Sequence, residues 1–515
     1  MTVSRIVLLL LCLGSVPAMG QIDKEGEPVS WNLIEQLEEP AVVVDLPTLN
    51  TPVLLAEDEH VNEAKSKPFR FAIAHPVGFT LQNSGQWTNL KYGDRIWRLG
   101  VRAEEAYSLS LNFDNLVIPS GALLYIYTSD QSEFFGPISS KNNNPNHILG
   151  TQPIHGSEIV IEYYEPYAVR GNGIISIASI AQGYRDLLAD PPGPKSCLTP
   201  FICNNDAGLE AISNSVVMIL LDKGTRAVTG TMMNNSLNDG TPYVLTSSEL
   251  GDSDPSSWVF LVKMNAQECG TGETCWTRSL SGATRIASDS LAGVSLLRIN
   301  ENPPGKWQTY FSGWNFNPLA GDGYRCIQHA LGKTQSISAT HAIAGAVGWD
   351  AKDAIMIQDW YEGATFPGSL GSPLFDSEDR VCAVFLGGLG TCNTSAPDYF
   401  SNLPSTWDAF RAYLDPLHED KLNHPGYYPG YIPEDPLADG NSIIVYPNPS
   451  NGVFSIFSVN NEPVLSFELY EMTGRILCRR SLITPQVDLR EFGGGIYHLV
   501  VHFRDSSTSE RIILR

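Results

Sequence analysis

Between Arg95 and Tyr164 the chain is cut into short runs in which apolar and polar residues alternate. Arg95 to Val101, Ala106 to Phe113, Leu123 to Thr128 and Glu158 to Tyr164 all read this way. Turn formers such as Pro119-Ser120-Gly121 separate them. A period of two sends successive side chains to opposite faces, so these runs predict strands with one buried face. Several in series predict a β-sandwich, expected over residues 30–188.

The pattern resumes after a Pro-rich punctuation, Ala189-Asp190-Pro191-Pro192-Gly193-Pro194-Lys195. Runs such as Ser215 to Leu221 and Ser295 to Ile299 place a second all-β unit over residues 195–415. Residues 416–440, with His424-Pro425-Gly426-Tyr427-Tyr428-Pro429-Gly430, read as a linker. Residues 441–515 form a compact third set of strands ending in Arg511-Ile512-Ile513-Leu514-Arg515. Three domains suit 515 residues, and 45 Gly with 34 Pro favour the all-β class over long helices.

Lys plus Arg number 33 against 56 Asp plus Glu, a net charge of −23. Such a surface repels polyanions, which excludes nucleic acid as an expected partner. Arg5 precedes the apolar run Ile6 to Leu13, and Ala18-Met19-Gly20 supplies small residues for cleavage. Residues 1–20 therefore read as a secretory signal peptide, with the mature chain starting near Gln21. Leu11 before Cys12 argues against a lipid anchor, and no later apolar stretch has transmembrane length. Eight cysteines remain in a compartment where disulfides persist. Seven fall in the second unit: Cys197, Cys203, Cys269, Cys275, Cys326, Cys382 and Cys392. Cys478 stands alone in the third. An odd count in one domain leaves a free thiol or an unusual pairing.

The third unit carries Tyr446-Pro447-Asn448-Pro449-Ser450-Asn451-Gly452, Glu468-Leu469-Tyr470, Thr473-Gly474-Arg475 and Gly495-Ile496-Tyr497-His498-Leu499. The first is a rigid opening turn and Thr-Gly-Arg a hairpin turn. In order and position these resemble the C-terminal sorting domain of the type IX secretion pathway of Bacteroidetes. The resemblance implies an immunoglobulin-like sandwich and handling by the type IX machinery. It also implies transit through the periplasm to the outer cell surface, with processing of the domain at the outer membrane.

The second unit carries Thr229-Gly230-Thr231-Met232-Met233-Asn234-Asn235, Tyr243-Val244-Leu245-Thr246, Ser295-Leu296-Leu297, Gly313-Trp314 and Pro367-Gly368-Ser369-Leu370-Gly371-Ser372-Pro373. Gly387-Gly388, Cys392, Asp398-Tyr399 and Trp407 follow. This ordered series resembles the lysyl endopeptidases, trypsin-like serine proteases, and implies a two-barrel fold. Such an enzyme needs a nucleophile, a base and a carboxylate that orients the base. The resemblance puts Glu249 at the base, Gly293 at the orienting Asp and Leu370 at the nucleophile, so no member of the triad is intact. A missing triad costs about a million-fold in turnover. Ser369 and Ser372 flank Leu370 on a turn that aims them elsewhere, and Asp289 would need a shifted strand. His329 and His341 read as structural or surface residues.

The family's disulfides imply Cys197–Cys392 and Cys203–Cys269. The pair that clamps the histidine loop is replaced by Val228 and Leu250. Cys275, Cys326 and Cys382 are unassigned, with a Cys326–Cys382 bridge as one pairing. Asp398, nine residues before Trp407, matches the acidic base of the family's specificity pocket, and Trp349 its cleft-side Trp, whose His partner is Leu386 here. Two readings of Asp398 stay open: a carboxylate that pairs with a basic side chain, or a solvated loop residue.

Gly93-Asp94-Arg95-Ile96-Trp97-Arg98-Leu99, Ala106-Tyr107-Ser108-Leu109 and Glu162-Tyr163-Tyr164-Glu165-Pro166 resemble the propeptide-side domain of this family. Without self-cleavage that domain is expected to stay attached unless another protease cuts near Lys195. The expected function is a secreted, catalytically inactive protease homologue that binds a peptide or protein bearing a basic side chain, or serves as scaffold. It calls for no metal and no cofactor. The alternatives are an active endopeptidase cleaving after Lys or Arg, and an adhesin or glycan binder using Trp87, Trp97 and Tyr163 of the first sandwich. Alternating aromatics on strands more often pack in a core.

Overall fold

Strands Arg95–Arg102, Ser108–Val117, Leu123–Thr128 and Glu158–Glu165 occupy the alternating runs of the sequence. The structure is a computed structural model and describes residues 26–33, 41–61, 65–90, 92–187, 197–203, 209–250, 253–264, 278–304, 307, 309–317, 323–391, 396–429, 443–446, 450–458, 464–471, 475–481, 486–503 and 507–514. The signal-peptide segment lies outside them. The described residues are mostly β-strands, arranged in six sheets.

The first unit stacks a six-stranded sheet on a five-stranded one. Arg95–Arg102 pairs antiparallel with Glu158–Glu165, which pairs with Leu123–Thr128. Opposite them Ile174–Gly183 lies between Ser108–Val117 and Ala72–Thr80. Between the sheets sit Leu99, Leu109, Leu111, Phe113, Ile126 and Ile161, all essentially inaccessible. Trp97 and Tyr163 belong to the same core and Trp87 packs against it with Arg95 over its face. The three aromatics behind the glycan-binding alternative therefore face inward. The polar face of Ser108–Val117 is covered as well. Asn112 donates to Lys223 O at 2.8 Å, and Gly224 of the next unit packs on Ser110. One strand thus serves a core and a domain interface.

The second unit has an eight-stranded sheet, running through Val216–Leu221, Arg226–Met233, Tyr243–Ser247 and Val294–Ile299, and a ten-stranded one. Each has its own apolar core, and a third cluster joins them. Phe69–Arg70, which lies in the chain between strands Val42–Asp45 and Ala72–Thr80 of the first unit, adds to the eight-stranded sheet by pairing with Arg226 and Ala227. Phe69 and Phe71 then cover Met218, Leu220, Val259 and Leu261.

Two expectations need correction. Residues 416–429, expected as linker, pack on the second unit: Asn423–His424 pairs with Trp314 and Asn315, and Tyr427 bridges to Phe311. His424 stacks on Trp314, and Tyr428 lies tilted against Tyr310 while remaining 41% exposed, so ring contacts hold this Pro-rich stretch on the second unit. Cys326 and Cys382 are both free. Leu374 lies between them, facing Cys326 on one side and Ala383 on the other. Two strand spacings of about 4.8 Å exceed the reach of a disulfide, roughly 7 Å between Cα atoms. Cys197 and Cys203 open the second unit. Their expected partners Cys392 and Cys269, and Cys275, lie outside the described residues.

The third unit packs a three-stranded sheet against a four-stranded one ending in Gly495–His502 and Ser507–Leu514. Phe454, Ile456, Leu469, Leu499 and Val501 fill it.

Candidate functional site

The turn that carries Leu370 is built by glycines and serines. Gly368 and Gly371 adopt φ of +95° and +85°, a region side chains avoid. A Cβ on Gly371 would collide with Thr229 O and Thr246 Oγ1, so the turn lies tight on the eight-stranded sheet. Ser369 Oγ accepts from Phe366 N at 3.0 Å, and Ser372 Oγ donates to Ser369 O at 2.6 Å. Both serines are fully buried with their hydroxyls engaged in the turn.

Leu370 is also fully buried, and its backbone carbonyl accepts from Thr229 N at 2.9 Å. Its side chain joins the cluster that contains Val228 and Leu250. The two residues standing where the resemblance expects a clamping disulfide, and the one expected at the nucleophile, therefore share one apolar core. Dispersion and burial replace the covalent clamp.

The positions expected for base and orienting carboxylate lie beside each other. Ser248 N donates to Gly293 O at 2.8 Å, beside Glu249. Glu249 is about half exposed and pairs with Lys352 Nζ at 2.6 Å, which also donates to Ser290 O. Gly293 has φ of +72°, and a Cβ there would approach Leu386 Cδ2 to 2.9 Å. A side chain here would carry the strain of a left-handed backbone and would have to displace the tip of Leu386. Asp289 is turned away, accepting from Ala292 N. The His329 ring donates from Nδ1 to Lys333 O at 2.8 Å, and burial lowers its pKa to about 4. His341 stacks on Tyr361.

Asp398 is 1% exposed. It opens strand Asp398–Ser401, held between Ile357 and Gly388. One carboxylate oxygen accepts from Trp360 Nε1 at 2.8 Å and Thr365 Oγ1 at 2.6 Å. The other accepts from Lys65 Nζ at 2.9 Å. Gly388 gives the carboxylate room, since a Cβ there would overlap Asp398 Oδ1. Trp349 stacks on Tyr399 next to it, ring centroids 5.0 Å apart and nearly parallel. The solvated-loop reading of Asp398 is overturned: a carboxylate this buried needs a cation, and it has one.

Lys65 was invisible to sequence reasoning. Lys65-Ser66-Lys67-Pro68 looks like solvated chain between a helix and a strand. The available signal was indirect: a buried Asp requires a basic partner, and none was assigned in its own domain. Burial pulls the Lys65 pKa below the ordinary lysine range, while the adjacent Asp398 opposes that shift.

Residues 194–401 match the family description "Lysyl endopeptidase, C-terminal domain", and residues 444–515 match "Secretion system C-terminal sorting domain". Among solved structures, Rv3671c from M. tuberculosis H37Rv, in an inactive mutant form, is similar at 16% identity. That match covers 44% of this chain and 98% of that one with a TM-score of 0.29. Kallikrein-related peptidase 10 is similar at 13% identity, over 39% of this chain and 95% of that one, also with a TM-score of 0.29.

Proposed function

We propose that this chain, which pairs a lysyl endopeptidase-type domain with a sorting tail that marks it for the outer cell surface, is a pseudoprotease. It keeps a lysine-binding pocket without hydrolysing peptide bonds. The observation that carries the reading is Leu370, a hydrocarbon side chain wholly buried where the resemblance places a nucleophile. Leucine has no proton to give and no lone pair to attack with. The surroundings agree. Glu249 is neutralised by Lys352, Gly293 offers no carboxylate, and the flanking serines spend their hydroxyls on the turn. The pairings Cys197–Cys392 and Cys203–Cys269 belong to this reading as the bonds that keep the protease shape.

The Asp398 pocket is the part of the protease design that still does chemistry, as a site for an alkylammonium. The expected ligand is a peptide or protein presenting lysine at the surface of the cell. The test uses the purified full chain, a fluorophosphonate probe and a fluorogenic lysyl peptide. Neither covalent labelling nor hydrolysis above buffer is expected. Labelling of the wild-type protein would instead support a secreted endopeptidase with another catalytic arrangement.

A further inference from the structure

The ammonium of Lys65 is completely coordinated. It donates to Asp398 Oδ1 at 2.9 Å, Gly390 O at 2.8 Å and Thr365 Oγ1 at 2.6 Å, with Thr365 O at 3.3 Å. Three N–H bonds meet three close oxygens, and Lys65 is 5% exposed. The Phe385 ring lies 5.8 Å from the nitrogen. Lysine presents three donors on one small tetrahedral head, whereas a guanidinium presents a flat fork. This arrangement fits an alkylammonium and rejects arginine.

The segment that delivers Lys65 is pinned at both ends. Helix Thr51–Val61 brings Asp58, which is 2% exposed, and strand Phe69–Arg70 brings Arg70. Arg70 Nε donates to Asp58 Oδ1 at 2.7 Å, and its guanidinium reaches Glu57 at 2.9 Å. Tyr184 and Arg185, at the far end of the first sandwich, bind the other oxygen of Asp58 at 2.5 and 2.8 Å. Between these anchors the chain reaches the pocket, and Lys65 has φ of +54°. An L residue keeps that backbone only where its surroundings over-determine it, and here the side-chain contacts do.

We propose that Lys65 is a tethered occupant of the Asp398 pocket, so that the N-terminal unit closes the site in cis and an outside lysine peptide binds only by displacing it. The inference rests on the reading of Asp398 as a lysine pocket but not on the absence of catalysis. A tethered ligand competes at an effective concentration on the order of millimolar. The apparent affinity for a free peptide falls by the fraction of time the pocket is open.

The test is fluorescence anisotropy on the full chain with fluorescein-labelled Ala-Ala-Lys-Ala-Ala, with norleucine in place of lysine as control. Lys65→Met is expected to bind the lysine peptide at least tenfold tighter than wild type and to gain nothing for the norleucine peptide. Adding Asp398→Asn to Lys65→Met is expected to abolish the gain. Equal affinity of wild type and Lys65→Met would overturn the proposal. Should Lys65→Met fail to fold, wild-type protein is acetylated with a succinimidyl ester and read by mass spectrometry. Lys65 is expected to react at least tenfold more slowly than the exposed Lys67, and excess unlabelled lysine peptide to speed it. Equal rates at the two lysines would overturn the tether. Hydrolysis of the peptide by Lys65→Met would sink the pseudoprotease reading and leave the tether standing.

Discussion

Glu249 Oε1 and Lys352 Nζ are 2.6 Å apart, at the position that the resemblance assigns to a base. The pair joins two neighbouring segments of the domain, since Lys352 also holds Ser290 O. Glu249 is about half exposed, and exposed ion pairs are worth less than about 1 kcal/mol. Glu249→Gln is therefore expected to move the urea midpoint only slightly, and less still at high salt. Introducing histidine at this position alone is expected to restore no activity, because Leu370 and Gly293 remain.

Leu370 is the opposite case. It is fully buried in an apolar cluster with Val228, Leu250 and Trp258. Leu370→Ala is expected to cost about 2–5 kcal/mol, from lost transfer energy and the cavity left behind. Leu370→Ser should cost at least as much, because the hydroxyl would enter an apolar site without a partner. Chemical denaturation measures both. A serine variant as stable as wild type would show that position 370 tolerates a nucleophile, and the packing account of this turn would fail.

Gly371→Ala separates steric strain from mere loss of flexibility. Its φ is +85°, and the added methyl would run into Thr229 O and Thr246 Oγ1. Gly345, at φ +114°, opens on free space. Gly371→Ala is expected to lose more than about 3 kcal/mol, and Gly345→Ala only the roughly 1–2 kcal/mol of a left-handed backbone. Thermal melts of the two variants side by side decide it.

Two buried groups give stability a pH dependence of opposite sign. Burial lowers His329 to about 4, below its unfolded value, so the native state holds fewer protons than the unfolded chain between about pH 4 and 6.5. Stability is lost as pH falls through that window, by roughly 3 kcal/mol. Burial alone raises Glu301 to about 8, so the native state holds the extra proton from about pH 4.5 to 8, and stability falls as pH rises across it. His329→Gln should flatten the acid limb, and Glu301→Gln the neutral-to-alkaline one. Urea midpoints at pH 4, 6 and 8 give both slopes.

Much of the fold was written in local pattern. Leu123–Thr128 forms where alternation placed a strand, and Glu158–Glu165 and Val294–Ile299 differ from their predicted runs by one residue at one end. Period two is a property of a strand by itself. What the pattern could not carry was the use of the second face. Ser110 and Asn112 read as solvent-facing yet lie against the next unit. The stretch through His424 and Tyr428 read as linker because Pro and Gly dominate it, while its aromatic residues had partners, Trp314 and Tyr310, about a hundred residues upstream. The site divides the same way. Leu370 was legible because its motif is contiguous. Lys65 was not, since it meets Asp398 across 333 residues and no sequence spacing encodes that contact.

The docking of Phe69 and Phe71 bears on how the molecule can be cut for study. Met218, Leu220, Val259 and Leu261 make an oily outer wall on the eight-stranded sheet, and the backbone of Arg226 and Ala227 finds its partner in Phe69–Arg70. A fragment beginning near residue 195 would carry that wall bare and those amides unpaired, the combination that recruits foreign strands and drives aggregation. The protease-shaped half is thus not a minimal unit from which a prosegment can be trimmed. Its outer skin is supplied from within the first unit, and the two fold surfaces are completed only together.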